Sequence, residues 1–380
     1  MPHVTVNRHV PPRSRRRIVV LVAAFLFVCV GCAAATESVA TAGVHCALFA
    51  SPSGEDSARG ANGAPFRTAQ RLVNALRPGQ TGCLEGGVYA GYLRITHGGR
   101  LGARLTIRSV PGAVATVLGR IWIRAGSDYV TIQGLHIVGL PGPVDCAGAQ
   151  CPNIPTVGVN SRSATLLDND ITNHHSSICV AIGSAQWGVA RQTLVEGNVI
   201  HDCGRLPATN LEHGIYVADA VGAVIRSNYI YDNADRGIQL YPHAEGTLVE
   251  GNVIDANGEG ILIGGVGADP TEGSLVEHNL VTNSRIGGNI ESFFPAGAPP
   301  AAANQVTDNC LFGGQVSPAL GGVVGAGVGF AAGGNLIADP LYESNVALDR
   351  DLAADPARRK ALTPAAASPC AAVLTRSART

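Results

Sequence analysis

The sequence predicts an all-β solenoid preceded by one α-helix, and two observations carry that prediction. The first is a repeated phrase. Thr193-Leu-Val-Glu-Gly-Asn-Val-Ile200 is followed by Val224-Ile-Arg-Ser-Asn-Tyr-Ile230 and then by Leu248-Val-Glu-Gly-Asn-Val-Ile254. Each leads to a second apolar burst, at Gly214–Val217, Gly237–Leu240 and Gly260–Ile263. The second observation is a register mark. Asn198, Asn228, Asn252, Asn279 and Asn309 recur at intervals of 24 to 30 residues, with Asp170 expected at the same position one coil earlier and Leu135 before that. A β-rich period of this length belongs to units that cannot bury an apolar face alone but can when stacked.

The first 35 residues read as a leader. Arg8, Arg13 and Arg15 to Arg17 precede an apolar run from Ile18 to Val30, and Ala33-Ala34-Ala35 offers a small-residue cleavage site. The run is short for a membrane span. Ser14 to Arg17 resembles a twin-arginine signal and Val30-Gly31-Cys32 a lipoprotein site, so a secreted or cell-envelope protein without a stable span is expected. Of ten cysteines, Cys29 and Cys32 fall in the leader. The other eight suit disulfides in an exported chain, and the coil order suggests Cys46–Cys83, Cys146–Cys151, Cys179–Cys203 and Cys310–Cys370. The 27 basic and 28 acidic residues nearly balance, which gives no ground for nucleic-acid or acidic-lipid capture. A monomer is expected.

In chain order, residues 44–100 read as an N-terminal cap and first coil, 101–315 as repeats, and 316–380 as a C-terminal cap and tail with a flexible end. Cys46 to Ala50 is a strand, and Thr68 is a plausible N-cap for a helix from Ala69 to about Leu76. That helix is placed to cover the open first coil. Leu105–Arg108, Ile121–Ile123 and Val130–Gln133 alternate as half-buried strands do. Pro141 to Pro155 is a proline-rich, cysteine-bearing loop; 205–211, 266–273 and 296–303 are insertions.

These residues resemble the pectate-lyase-like superfamily of right-handed parallel β-helices. The likeness rests on Phe49–Gly54, Gly63–Thr68 and Pro78–Tyr89 at the start, on the asparagine repeats, and on Asn335–Leu341 with Leu362–Pro369 at the end. It implies a single-stranded right-handed parallel β-helix with an N-terminal capping α-helix. The fold hosts lyases, hydrolases, epimerases and binding proteins.

Stacking the coils turns sequence positions into columns. Ile215, Val217, Ile238, Leu240, Ile261 and Ile263 should point inward. Tyr216, Gln239 and Leu262 then form an outward column, which Glu291 extends if Ile290 faces in. Just before the strands stand His213, Arg236 and Glu259, with Glu212 and Asp235 beside them; just after come Tyr241 and His243. Such a polar, aromatic face suits an elongated polysaccharide.

The resemblance implies β-elimination on a uronate glycan, in which a base removes the C5 proton and a cation or donor stabilises the carboxylate. His213, Arg236, Tyr241 and His243 are the candidate catalytic groups. Glu212, Tyr216, Asp235, Gln239, Glu259 and Glu291 are the candidate substrate contacts, and the four acids among them are candidate ligands for Ca2+. Tyr241-Pro-His-Ala244 resembles the Asp-Pro-His-Asp of alginate C5-epimerases but lacks both aspartates, so epimerase or glycoside hydrolase activity is the first alternative. A non-catalytic glycan-binding or scaffold protein is the second. The bland reading stays open too: a charge column between coils and tyrosines that only cover the sheet. Adjacent His174 and His175 suggest a metal pair, though neighbours in a turn commonly face apart; Trp122 and Trp187 mark no site.

Overall fold

The computed structural model describes residues 45–140, 154–266, 270–294, 303–342 and 362–377. The leader, the Cys146–Cys151 pair, Lys360 and most of the 141–155 and 296–303 loops lie outside that set. The described residues form a right-handed parallel β-helix in which successive coils place strands on three faces.

The first face is an 11-stranded sheet running from Leu48–Ala50 to Ala331–Gly333. The second climbs from His136–Val138 through Val199–His201, Tyr229–Tyr231 and Val253–Asp255 to Leu336–Ile337. The third holds Val157–Val159, Val180–Ile182, Ile215–Val221, Arg236–Glu245, Glu259–Gly264, Ile290–Phe293 and Val323–Val324. Two long strands, Gly87–Ile95 and Ala115–Ile123, run along both the second and third faces at the N-terminal end. All these ladders are parallel, so every strand is fed by the coil below it.

The core follows from the pleat. Ile215, Val217, Ile238, Leu240, Ile261, Ile263 and Ile290 are each 0% exposed. Val195, Ile225, Val249, Val276 and Val306 from the first face and Ile200, Ile230, Ile254, Val281 and Leu311 from the second meet them in one cluster.

Asparagine side chains stack inside one turn. Asn198 Oδ1 accepts from both the backbone N–H and the Nδ2 of Asn169 at 2.9 Å, and its own Nδ2 donates to Leu166 O at 2.9 Å. The pattern repeats through Asn228, Asn252, Asn279, Asn309 and Asn335. The sequence reading is corrected at one end: Asn169, not Asp170, holds this position. Asp170 is the first strand residue, in register with Val199, and only a carboxamide both donates and accepts along such a ladder. Leu135 does end the ladder, its N–H donating to Asn169 Oδ1 at 3.1 Å.

A helix spans Ala69–Ala75, capped by Thr68 Oγ1, which accepts from Arg71 N–H at 3.1 Å. Ala69, Leu72 and Val73 are buried, and Leu72 and Leu76 fill the space that a Cβ on Gly82 would need. Disulfides join Cys46 to Cys83, Cys179 to Cys203 and Cys310 to Cys370. No helix among the described residues is long and apolar enough to cross a membrane.

Candidate functional site

The third face carries a groove of about 1160 Å³. Its floor is one outward column of paired residues. Arg94 pairs with Trp122, Trp122 with Gly158, Gly158 with Ala181, Ala181 with Tyr216, Tyr216 with Gln239 and Gln239 with Leu262; beyond the groove the column continues from Leu262 to Glu291. The sequence register for Tyr216, Gln239, Leu262 and Glu291 is the register of the strands.

One wall is the 205–211 insertion, and two expected substrate contacts build it instead of facing the groove. Glu212 is 0% exposed. It accepts from Arg205 N–H at 3.0 Å, Arg205 Nε at 2.6 Å and Thr209 Oγ1 at 3.1 Å. Asp235 accepts from the backbone N–H groups of Asn210, Leu211 and Glu212 at 2.8 to 2.9 Å. Their carboxylates are spent on the loop, whose Asn210 and Leu211 in turn line the groove. The opposite rim is the 184–188 hairpin bearing Trp187.

Four expected catalytic or binding groups meet at the groove: His213, Tyr216, Arg236 and Tyr241, with Gln239 beneath them. The His213 ring lies edge-on to Tyr216, centroids 5.5 Å apart. His213 is 2% exposed and its Nδ1 makes no hydrogen bond. Burial, helped by the Arg236 charge, holds its pKa well below the usual 6.5, so the imidazole is neutral at neutral pH. Burial first, then Tyr241 and Asp219, push Tyr216 up to about 12, so its phenol keeps its proton.

Arg236 Nε stands 2.7 Å from Glu259 Oε2, but the N–H points off the line to that oxygen and neither atom completes a hydrogen bond. Its Nη1 donates to Gln239 Oε1 at 3.3 Å. Glu259 is raised by burial, against the pull of Arg236 and with the push of Glu291 and Asp235. Glu291 accepts from Gly288 N–H. His243 sits at the margin, its Nδ1 3.1 Å from Asp219 Oδ1.

The four acids do not suit Ca2+. Two serve the loop, one pairs with an arginine and one bonds a backbone N–H. Among the described residues, the groups whose ligand atoms converge are His175, Asp202 and Asp232, and Glu250, Glu277 and His278, none of them groove residues. In the first group Asp232 also pairs with Arg285, and Asp202 with His201. Of the adjacent histidines, only His175 belongs to it.

Sequence reasoning missed half of the groove. Tyr92 stacks on Trp122 with centroids 6.5 Å apart, and Trp122 meets Trp187 edge-on at 5.4 Å. Asn160 Oδ1 accepts from Trp122 Nε1 at 2.8 Å, and Asn160 Nδ2 donates to Gly188 O at 2.9 Å. Asp219 was missed because the register slips by one residue between Val217 and Asp219.

Residues 156–337 match the family model described as the right-handed beta helix region. No curated protein matches the sequence. Similar solved structures include the pectate lyase Pel9A, at 12% identity and TM-score 0.52 over 80% of this chain and 84% of that one. An alginate lyase from Paenibacillus sp. str. FPU-7 gives 17% and 0.50 over 70% and 91%. XylC in complex with xylose gives 13% and 0.50 over 70% and 69%. The chain is a right-handed parallel β-helix.

Proposed function

We propose that this chain is a carbohydrate-active enzyme, a polysaccharide lyase that cleaves an acidic glycan by β-elimination in the third-face groove. The observation that carries the reading is a neutral imidazole beside a protonated phenol and a guanidinium in one groove. His213, kept unprotonated, is the base for the C5 proton. Arg236 binds and neutralises the uronate carboxylate, which stabilises the enolate-like intermediate. Tyr216, with Tyr241 beside it, donates to the glycosidic oxygen as it leaves.

A glycoside hydrolase needs two facing carboxyl groups. Among the described residues that line the groove, Asp219 is the one carboxylate, and it is bonded to His243. A C5-epimerase shares the proton abstraction but returns a proton without cleaving. The test is an ultraviolet assay for unsaturated product across pectic, alginate and glycosaminoglycan substrates. His213→Ala and Arg236→Ala should each lower turnover by at least about 100-fold while the β-rich circular dichroism stays. No new absorbance on any uronate polymer sinks the lyase reading; binding without turnover then favours a glycan-binding protein.

A further inference from the structure

The groove has a second end with its own chemistry. Tyr92, Trp122 and Trp187 expose their rings there, Tyr92 at 40% and Trp187 at 54%. Arg94 lies over the Tyr92 ring at 4.8 Å and Arg124 over the Trp122 ring at 5.1 Å. Arg120 pairs with Tyr92 across the two long strands. The arginine–carboxylate pairs among the described residues use Arg205, Arg226, Arg236 and Arg285, so Arg94, Arg120 and Arg124 have no carboxylate partner among those residues. Three uncompensated cations around an aromatic platform form an electropositive patch in a protein whose net charge is −1.

The floor between this platform and Tyr216 is Gly158 and Ala181. A Cβ on Gly158 would stand 3.3 Å from Trp122 Cδ1, so small residues leave a trough leading away from the indole. Trp122 and Tyr216 are three coils apart, roughly 14 Å at the usual strand spacing. One sugar ring cannot touch both.

We propose that the Tyr92–Trp122–Trp187 platform with Arg94, Arg120 and Arg124 is a separate subsite for an anionic sugar, a pyranose bearing a carboxylate or sulfate. The apolar face of the ring stacks on the indoles, and the arginines hold the anion. The glycan then runs along the trough toward Tyr216 and Arg236. This rests on the carbohydrate reading of the groove and is independent of β-elimination.

Trp122 and Trp187 are the only tryptophans in the chain, so selectively excited tryptophan fluorescence reports on this subsite. Titration of the protein with oligo-uronates should give a saturable change in emission that weakens as salt is raised. Trp187→Ala and the double variant Arg94→Ala/Arg124→Ala should each weaken binding roughly tenfold. The first is followed by isothermal calorimetry. Neutral oligosaccharides of equal length should bind the unaltered protein as weakly as acidic ones bind the arginine variant. A sulfated oligosaccharide that outcompetes the uronate identifies the anion as sulfate. Neutral and anionic ligands binding alike, no saturable change, or full affinity in both variants overturns the subsite. Where turnover is found, both variants should raise KM with kcat held, the mark of uniform binding. Turnover with unchanged KM removes the subsite and leaves the lyase reading. Saturable binding here without turnover does the reverse.

Discussion

Asn252 shows what one side chain does in this fold. Its Oδ1 accepts from Asn228 N–H at 3.0 Å and Asn228 Nδ2 at 2.9 Å, while its Nδ2 donates to Ile225 O at 2.9 Å. Asn252→Ala would remove these three bonds and a fourth, from its Nδ2 to Asn279 Oδ1, and leave the buried Asn228 N–H without its acceptor. At the cost of unsatisfied groups, the loss should be on the order of 3 kcal/mol or more, read as a lower denaturation midpoint with the spectrum unchanged below it. His213 makes a different prediction. As base it works only unprotonated, and its folded pKa lies below 6.5. The active fraction is therefore full above 6.5 and falls only as pH drops through the depressed value. The acid limb of kcat/KM should lie below pH 6.5, and on the alkaline side Tyr216, near 12, should leave no limb through pH 9. An acid limb at or above 6.5 in kcat/KM rules out His213 as the base.

At the scale of elements, the groove is a sheet floor with loop walls, and the two differ in how they are encoded. The floor was legible. Period-two alternation fixes which residues of Ile215–Val217 face out, and the coil repeat fixes which neighbours they stack on. Tyr216, Gln239 and Glu291 follow from those two rules. The walls were not legible, because loop geometry depends on hydrogen bonds to particular backbone groups, and nothing in the spacing of Glu212 and Asp235 says that their carboxylates turn into the loop. The aromatic end was missed for another reason. Trp122 belongs to the same column as Tyr216, but the 141–155 loop separates them in sequence and breaks the count of coils. The role found for Asp235 gives a prediction: Asp235→Ala removes the acceptor of three loop N–H groups and should free the 205–211 wall. Hydrogen exchange at Asn210, Leu211 and Glu212 should accelerate while the core amides of Ile238 and Leu240 stay protected. Protection unchanged at all three would show that the wall is held by something else.

For the whole molecule, the second face raises a question that the repeat alone does not answer. Its outward column contains Val199, Val253, Leu280 and Cys310, which water should not meet, and all four are buried. They are covered by the end of the chain. Leu362 and Cys370 join them in one apolar cluster, with Tyr342, Val373 and Leu374 packed against it. Tyr342 Oη lies 2.6 Å from Thr282 Oγ1, which itself donates to Asp255 Oδ1 at 2.5 Å. Burial, and after it the Asp255 charge, raise the Tyr342 phenol well above 10. The Cys310–Cys370 bond fastens this cover across a sequence separation of 60. In the chain-entropy view a loop of that length is worth about 4 kcal/mol. Cys370→Ala should therefore lower the melting temperature under non-reducing conditions. It should also let the cover lift, and that has a separate readout. With Tyr342 exposed, an alkaline absorbance titration should show one more tyrosine ionising near its ordinary value of 10 than in the unaltered protein, and a dye for apolar surface should bind. If the melting temperature falls but the tyrosine count does not change, the bond only restrains the unfolded chain and the cover is held by its own packing.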